Sequence, residues 1–326
     1  MARRGISVIG LLAITALSAA GCGGDDASSG DDAITLYTCA SDTTVQPIID
    51  AFESSSDVKV ELFRAPTGDL NARVAGDVRS GGLKADVIWT CDPLTMQGYV
   101  DQELVGGYVP DDVSSIPAEF RTDDYTAAAM LYMVAVHGED VPAPRSWSDL
   151  TARDYTDGVA LPDPAVAASA LGALGYFSQD PDYGLDFYHR LADNGATQVS
   201  TPDDVVTGVA EGVYKAGITI EKSAFAAQED GSPIGVVAPA PGAIAIYGPI
   251  ALATDSADSQ PAKDFISYVL SKEGQQTIAD SGASPASSEV PSQVLPEGTT
   301  TVAPDWSALS DQTEQLLADY QKIFGG

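Results

Sequence analysis

Residues 34–53 read ITLYTCASDTTVQPIIDAFE, and the change of pattern along this stretch decides the fold. Its first four residues favour a buried strand, and the small and polar residues 38–42 end that strand. The apolar residues after the break recur at helical spacing: Val45, Ile48, Ile49 and Phe52. A helix is therefore predicted to run to about Glu53, with Thr43 or Thr44 as its N-terminal cap.

A strand, a polar loop and a helix N-terminus together form a common ligand site in open α/β sheets. The loop lies at the carboxyl end of the strand, and the first turn of the helix offers free backbone N–H groups to an anion or another polar group. An ordinary turn between a strand and a helix, with no ligand, is the alternative for one such unit taken alone.

Two further units of the same kind follow. An alternating strand at residues 58–63 leads to Thr67 and Gly68 before a helix, and a strand at residues 85–89 leads to a polar loop before another helix. Three consecutive units predict a parallel, doubly wound sheet whose three loops share one edge. The candidate ligand-binding residues on these loops are Cys39, Ser41, Thr43, Thr67, Gly68, Thr90 and Asp92.

The N-terminal segment, residues 1–21, is predicted to be a lipoprotein signal peptide and not part of the fold. Two arginines precede an apolar run at residues 6–17, which is shorter than the roughly 20 residues that span a bilayer. The run AAGC at residues 19–22 resembles a bacterial lipobox, with alanine where the pattern prefers leucine. Cys22 is therefore the expected lipidation site, and a plain secretory signal cleaved near Ala20 is the alternative.

Residues 22–32 are predicted to be a flexible acidic tether, because after the cysteine they carry four aspartates and no apolar side chain larger than alanine. The chain has 47 acidic and 16 basic residues, and its formal net charge of −31 becomes −33 when the two arginines of the signal are removed. This charge argues against binding DNA, RNA or an anionic membrane face. It suits an exported protein that touches the membrane only through a lipid anchor.

Several runs of sequence, taken together in their order and spacing, carry a family resemblance. They are ITLYT, AFE, VKVELFR, TG and KADVIW, followed by KDFISYVLSKEGQQTIADSGASPASSEV at residues 263–290. With them, residues 33–290 resemble the substrate-binding proteins of bacterial ABC importers. The most similar branch includes ferric-iron, thiamine, polyamine, phosphosugar and 2-aminoethylphosphonate binders.

The resemblance implies a type II periplasmic-binding-protein fold, in which two α/β lobes are joined by a hinge. Each lobe would be a doubly wound, mostly parallel sheet with flanking helices. A body of roughly 300 residues also exceeds what one hydrophobic core usually serves. We assign residues 33–130 and 245–280 to the first lobe, and residues 131–244 and 281–326 to the second.

The resemblance also implies a function in transport without chemistry or a cofactor. The lobes would close around a small polar solute, and the protein would deliver it to the permease subunits of an ABC transporter. It would work as a monomer, lipid-anchored to the outer face of the bacterial cell membrane. A secreted hydrolase is the competing class, but neither His137 nor His189 lies near a serine on a strand-end turn. Their spacing also predicts no metal site.

The resemblance points to Ala165 and Glu221 in the second lobe, and to Tyr247 at the second hinge crossing, as ligand-binding residues. Iron-binding relatives carry two adjacent tyrosines near Glu221, and this chain carries none there. Glu221 and Lys222 adjoin on a strand-to-helix turn, so they should point in different directions. Glu221 in the cleft would suit an ammonium group, and Lys222 there would suit a phosphonate, phosphate or carboxylate. A solvated pair is the alternative.

The identity of the ligand stays open at the level of sequence. Neutral loops at helix N-termini suit an anion, and Glu221 suits an amine. A small anion or zwitterion, such as an aminoalkylphosphonate or a phosphate ester, is therefore expected. Ferric iron, thiamine and polyamine are the alternatives.

Cys39 and Cys91 are expected to form a disulfide. Each follows the end of a strand on the same sheet edge, and the predicted strand order makes the two strands neighbours, about 4.8 Å apart. A disulfide needs Cα atoms at roughly 4.4–6.8 Å. The export signal implies an oxidising compartment, and lipidation of Cys22 leaves one even pair. Two buried free thiols are the alternative.

Overall fold

The structure, a computed structural model, describes residues 33–291 and 294–325. The predicted signal peptide, the lipidation site at Cys22 and the predicted tether lie outside the described residues. Strands and helices are numbered in chain order below.

The strands of the described chain join into one mixed sheet. They are β1 (Ala33–Thr38), β2 (Lys59–Arg64), β3 (Val87–Trp89), β4 (Thr126–Gly138), β5 (Val159–Pro162), β6 (Thr197–Val199), β7 (Ala216–Ile220), β8 (Ile234–Val237), β9 (Ala243–Leu252), β10 (Ser284–Pro285) and β11 (Thr301–Val302). Their order across the sheet is β2-β1-β3-β9-β4-β7-β5-β6, and β8 and β10 also pair with β4, while β11 pairs with β9.

Helices flank this sheet and mostly follow its parallel strands. They are α1 (Asp42–Ser55), α2 (Thr67–Arg79), α3 (Pro93–Asp101), α4 (Ala168–Gln179), α5 (Asp186–Asp193), α6 (Pro202–Ala210), α7 (Glu221–Glu229), α8 (Gln260–Leu270), α9 (Lys272–Asp280), α10 (Trp306–Leu309) and α11 (Thr313–Phe324). Short 3-10 helices lie at Ala118–Phe120, Trp147–Thr151, Arg153–Tyr155, Thr254–Ser256 and Ser310–Gln312.

Two long antiparallel strands in the centre of the sheet join two parallel groups. On one side β1 pairs in parallel with β2 and β3, and on the other β5 pairs in parallel with β6 and β7. Between them β4 and β9 run antiparallel, from Thr126 opposite Ile250 to Met133 opposite Ile244. This arrangement confirms the predicted fold class, two α/β lobes connected by crossing strands.

The burial of each strand follows its sequence pattern. All three residues of β3, inside the first parallel group, are apolar and buried. In β2, at the edge of the sheet, exposed and partly buried residues alternate from Lys59 to Leu62, as the alternating sequence predicts, and Phe63 departs from the pattern because it is also partly buried. Strands covered on both faces read as apolar runs, and edge strands alternate because one face meets water.

Among the described residues, buried apolar side chains form three clusters. The first surrounds β1, β3, α1 and α8, and its members include Leu36, Ile48, Trp89 and Phe265. The second lies among α4, α5 and α11, and its members include Trp147, Phe177, Phe187 and Tyr320. The third lies between β4, α6 and α7, and its members include Val134, Val205 and Ala224. The C-terminal helix α11 therefore packs on the second cluster.

The boundaries of the two lobes stay a prediction, and one of them conflicts with the packing. Ala283 and Ala286 fall in the predicted second lobe, yet they lie in the first cluster. The strand at Ser284–Pro285 pairs with β4 opposite Met130 and Ala129. These contacts favour a boundary later in the chain than residue 280.

Candidate functional site

A cavity of about 550 Å³ lies between the two lobes. From the first lobe, Ser41, Thr43 and Thr67 lie on its wall, and from the second lobe, Ser169 and Lys222 do. Small-molecule pockets usually measure about 300–1,000 Å³, so the cavity has the size of a small-ligand site.

In the part of the chain that the structure describes, five helices begin at this cavity: α1, α2, α4, α6 and α7. Each of them follows a strand of one of the two parallel groups, so the carboxyl ends of both groups face the same space. The first turn of a helix carries backbone N–H groups without intrahelical partners and about half a positive charge. The backbone alone therefore gives the cavity a positive potential.

These helix N-termini differ in whether a side chain of the protein accepts a hydrogen bond from their free backbone N–H groups. At α6, the Thr201 hydroxyl accepts from the backbone N–H of Asp204, and the Asp204 carboxylate accepts from the N–H of Thr201. At α1, α2 and α4 the cap residues Ser41, Pro66 and Ala167 make no side-chain cap hydrogen bond. Proline and alanine have no side-chain acceptor, so the local sequence leaves these N–H groups to other partners.

Lys222 of the second lobe reaches the first turn of α1. Its Nζ donates to Thr44 Oγ1 at 2.6 Å and to Ser41 Oγ at 3.4 Å. The Ser41 hydroxyl in turn lies 3.0 Å from Thr43 Oγ1 and 2.9 Å from Thr44 Oγ1. Burial lowers the pKa of Lys222, while the negative charges of Glu221 and Asp203 act to raise it. An ammonium group thus lies among hydroxyls at an uncapped helix N-terminus.

The wall of the cavity carries charges of both signs. Arg64 adds a second positive charge, and its Nε donates to the carbonyl of Ala40 at 3.1 Å. Asp203 and Asp230 add negative charges from the second lobe, and the Ser223 hydroxyl donates to Asp203. One ligand could therefore present an anionic group to one part of the wall and a cationic group to another.

The two lobes also touch backbone to backbone beside the cavity. The N–H of Gly68, in the first turn of α2, donates to the carbonyl of Val166 at 3.2 Å. A Cβ atom at Gly68 would lie 3.2 Å from the Ala165 carbonyl oxygen and 3.4 Å from Val166 Cα. Glycine permits this close approach because it has no side chain.

Replacing Gly68 by alanine should hinder closure of the lobes and weaken ligand binding by about tenfold, since an overpacked contact costs roughly 1–3 kcal/mol. Gly76 on the same helix is the matched control, because a Cβ there would meet nothing within 4 Å. Gly76→Ala should keep wild-type affinity and raise the free energy of unfolding by roughly 0.5–1 kcal/mol. Calorimetric titration and thermal unfolding measure both; equal affinity in the two variants would contradict the closure contact.

The structure brings part of the predicted ligand-binding set to the cavity. The predicted residues on its wall are Cys39, Ser41, Thr43 and Thr67. Gly68 contacts the facing loop, and Ala165 is exposed on that loop, where its N–H donates to Asp163 Oδ1 at 2.8 Å. Their roles in ligand binding stay predictions.

Thr90 and Asp92 lie beneath the wall instead of on it. Both are 0% exposed. The Thr90 hydroxyl donates to the backbone carbonyl of Asp92 at 2.9 Å, and Asp92 Oδ1 accepts from the N–H of Thr95 at 2.8 Å. Burial raises the pKa of Asp92 to about 6. The loop after β3 turns straight into α3, so the Asp92 side chain caps that helix, the Thr90 side chain bonds within the loop, and neither lies on the cavity wall.

Glu221 and Tyr247 are also predicted site residues that the structure does not bring to the cavity wall. Tyr247 is 4% exposed and packs against the rings of Phe120 and Trp306. Glu221 is 1% exposed and points towards β4, whereas the adjoining Lys222 lines the cavity. The two neighbours point in different directions, as expected of adjacent residues at a strand-to-helix turn.

Three charged residues on the wall, Arg64, Asp203 and Asp230, were absent from the predicted set, and Lys222 was considered only as the alternative to Glu221. Asp203 lies in the run TPDD at residues 201–204, a capping sequence that directly follows the short strand β6. That run is the signal that could have located a further loop at the same sheet edge. The three residues of β6 are too few to give a clear strand pattern, so this loop was not predicted from the sequence.

The expected disulfide between Cys39 and Cys91 is present. The Sγ atoms are 2.17 Å apart and the Cα atoms 5.9 Å apart. β1 and β3 are parallel neighbours, with Thr38 opposite Trp89; Thr38 is one residue before Cys39 and Trp89 two residues before Cys91. Both cysteines line the cavity, so the bridge ties two of its loops together.

The family described as bacterial extracellular solute-binding protein matches residues 34–283, which is most of the chain. The chain belongs to this family. Its members are the solute-binding components of ABC transporters, so this solute-binding protein takes a small-molecule ligand and an ABC permease as partners. It is an extracytoplasmic binding protein and not an enzyme.

Individual relatives are similar at lower identity. An uncharacterised protein of Haemophilus influenzae is 25% identical over 293 residues, covering 85% of this chain and 84% of that protein. The structure of the periplasmic binding protein AfuA from Actinobacillus pleuropneumoniae, with exogenous fructose-6-phosphate bound, superposes with a TM-score of 0.81 at 19% identity, covering 90% of this chain and 98% of that one. The apo ferric ion-binding protein A of Pasteurella haemolytica gives a TM-score of 0.77 at 17% identity over 90% and 98%.

Within residues 33–291 and 294–325, no helix has both the length and the apolar character needed to cross a bilayer. The same described residues contain no group of three or more His, Cys, Asp or Glu side chains positioned to hold a metal ion.

Proposed function

We propose that this solute-binding protein captures a small anion or zwitterion, an aminoalkylphosphonate or a phosphate ester, and delivers it to its permease. The anionic group would lie at the N-termini of α1, α2 and α4, beside Lys222. The closed lobes would hold the ligand from both sides, so that binding and closure are one event.

The convergence of uncapped helix N-termini on one cavity carries this proposal. Three helices begin there, and their N-cap residues make no side-chain cap hydrogen bond. A phosphonate or phosphate oxygen accepts several such N–H groups at once, and the helix dipoles favour its negative charge. Lys222 supplies a full positive charge within reach of the same turn of α1. A neutral ligand would gain little from this positive potential.

The acidic part of the wall favours a zwitterion over a simple anion. Asp203 and Asp230 both line the cavity, on the second-lobe side. An ammonium group on the ligand would pair with a carboxylate there, which is worth more in a closed cavity than in water. An aminoalkylphosphonate presents both groups on one small molecule, whereas a phosphate ester presents only the anion.

Ferric iron and thiamine fit the wall less well. Iron relies on anionic oxygen donors, and no tyrosine occurs among the described residues that line the cavity. Those residues include no aromatic ring of any kind on which the rings of thiamine could stack. A polyamine would place its positive charges against Lys222 and three helix N-termini, which repel them.

A calorimetric titration with a panel of ligands tests the proposal. The panel is 2-aminoethylphosphonate, fructose 6-phosphate, inorganic phosphate, thiamine, spermidine and ferric citrate. We expect micromolar or tighter binding of at least one phosphonate or phosphate ester and none of thiamine or spermidine. Tight binding of a cation, with none of any phosphorus oxyanion, would overturn the proposal. Native mass spectrometry of gently purified protein would show which member is retained.

We propose in addition that the protein is a monomer held to the outer face of the membrane by lipid on Cys22, with residues 23–32 as the tether. The lipobox-like sequence and the acidic linker support this. Mass analysis of the membrane fraction should find a diacylglyceryl-modified peptide that begins at Cys22. Mature protein that begins at another residue would overturn the anchor.

A further inference from the structure

Glu221 is a buried carboxylate directly behind the cavity wall. It is 1% exposed, while its neighbours Ile220 and Lys222 both line the cavity. Its Oε2 accepts from the backbone N–H of Tyr132 at 2.8 Å. The backbone N–H groups of Glu221 itself and of Lys222 act to lower the pKa of this carboxyl group, as that of Tyr132 does. The Tyr132 N–H is the donor that joins Glu221 to β4.

The sheet explains why Tyr132 needs this acceptor. Along β4, pairing with β10 reaches Met130, and pairing with β7 begins at Met133. Within the described strands, the N–H of Tyr132 lies in the gap between these two partners, and the Glu221 carboxylate takes the place of a strand carbonyl. The preceding residue, Leu131, lines the cavity where β4 passes between the lobes. Glu221 thus fastens the first turn of α7 to the crossing strand.

Lys222 leaves the same turn of α7 in the opposite direction. Its Nζ donates to Thr44 at the start of α1. Two hydrogen bonds, one on each side of the Glu221–Lys222 peptide link, therefore connect the crossing strand to α1 of the first lobe. The aim of the Lys222 side chain depends on the backbone turn that the Glu221 carboxylate holds.

We propose that Glu221 is a positioning residue that aims Lys222 at the bound anion and, when ionised, weakens the hold of the cavity on that anion. The proposal rests on the proposed function, in which the anionic group of the ligand lies against Lys222. Glu221 acts through Lys222 and through its own charge, without touching the ligand.

The state of Glu221 changes near neutral pH. Burial is the largest influence and raises its pKa to about 7, although the backbone N–H groups of Tyr132, Glu221 and Lys222 and the charge of Lys222 act to lower it. Below this pH the carboxyl group is neutral, and above it the group is a buried anion one residue from Lys222. An anionic ligand then meets a repulsive charge behind the wall.

The other ionisable groups around α7 lie on the elements that pack against it. β7 and β8, which pack against α7, carry no ionisable side chain. The ionisable residues on the other neighbouring elements, β4 and α6, are Tyr132, His137, Asp203 and Asp204. Asp204 is held in the cap of α6, and His137 lies opposite Ala216 at the far end of β7. Burial and the charge of Glu221 raise the pKa of Tyr132, away from neutrality.

Protonation of Glu221 should increase both the stability of the fold and the affinity for an anion. The folded-state pKa of Glu221 lies above its ordinary value of 4.5, at about 7. Folding therefore favours the protonated group, and its contribution to stability is complete below about pH 4.5 and is lost as pH rises towards 7. Anion binding favours the same protonated form, so affinity should fall as pH rises through about 7.

The test uses inorganic sulfate, a tetrahedral dianion that does not titrate near neutrality, at about pH 5.5 and about pH 8.5, on either side of the Glu221 transition. Wild type should bind sulfate about tenfold more tightly at the lower pH, given the repulsion of two charges at an effective dielectric constant of about 20. Glu221→Gln keeps an oxygen acceptor without the charge, so its affinity should change by less than about twofold. Glu221→Ala removes the acceptor and should bind more weakly than Glu221→Gln at both pH values.

Glu229→Gln is the matched control, since it removes the same charge from the exposed last turn of the same helix. It should keep the pH dependence of wild type. If sulfate binds but the ratio of wild-type to Glu221→Gln affinity is equal at the two pH values, the proposal for Glu221 is overturned and the proposed function stands. If wild type binds no sulfate at either pH, the anion site itself is wrong, and both proposals fall.

Discussion

Replacing Lys222 by methionine should weaken binding of a phosphonate or phosphate ester by about 100-fold. Methionine keeps most of the apolar stem of the lysine but removes the ammonium group. The bound anion would then be enclosed without its charged partner. Truncating one member of a buried charge pair costs roughly 2–5 kcal/mol, and each 1.4 kcal/mol is about tenfold in affinity. Calorimetric titration with the tightest-binding oxyanion of the panel measures the loss.

Lys215 supplies the matched control for this substitution. It precedes β7 at one end, and Lys222 follows β7 at the other. The Lys215 Nζ donates to the carbonyls of Asp154 and Thr156 at 3.0 Å and 3.2 Å, away from the cavity wall. Lys215→Met removes the same charge and should bind the ligand as wild type does. Equal affinity of Lys222→Met and Lys215→Met would remove Lys222 from the site.

The first lobe could be predicted from local sequence patterns because each of its strand–loop–helix units occupies one short, continuous stretch of the chain. β1, its loop and α1 occupy consecutive residues, and the same holds for the units that start with β2 and β3. Right-handed crossovers then place parallel strands as neighbours and their loops at one edge. The pairing of Cys39 with Cys91 was predicted from this order together with the export signal and the even pair that Cys22 leaves. No contact from the second lobe is needed to deduce it.

The second-lobe side of the site depends on register, which local pattern does not contain. Whether Glu221 or Lys222 faces the cavity is decided by the gap on β4 between its pairing with β10 and its pairing with β7. Residues 284 and 285 of β10 lie more than 60 positions further along the chain. The helical or strand periodicity of the sequence around Glu221 therefore gives no information about the pairing of β4 with β10.

Tyr247 and Asp92 show two further reasons why a strand-end position is not sufficient for a ligand contact. Tyr247 is covered by Trp306 from the C-terminal segment, a contact made by chain that is remote in sequence. Asp92 is drawn into the N-cap of α3, because a buried helix start needs an acceptor and Asp92 is the nearest one. In both cases a structural demand elsewhere in the fold takes up the side chain.

Replacing both Cys39 and Cys91 by alanine should lower the free energy of unfolding by about 4 kcal/mol. The two residues are 52 positions apart, and in the chain-entropy account a closed loop of that size contributes about this amount by restricting the unfolded chain. The melting temperature should fall by roughly 10 °C in consequence. Thermal unfolding followed by circular dichroism measures the shift, and a double variant that melts with wild type would show that the bridge adds nothing to stability.

Ligand affinity should fall together with stability, by about tenfold, because the bridge joins the loop before α1 to the loop before α3. Without the bridge, the loop that carries the hydroxyls of Ser41 and Thr43 is no longer held to the loop before α3. Part of the free energy of ligand binding is then used to order this loop. A reducing agent should reproduce both losses in wild type and leave the double variant unchanged, which separates loss of the covalent link from loss of the cysteine side chains. If reduction lowers the melting temperature but not the affinity, the bridge supports the fold of the first lobe without preorganising the cavity.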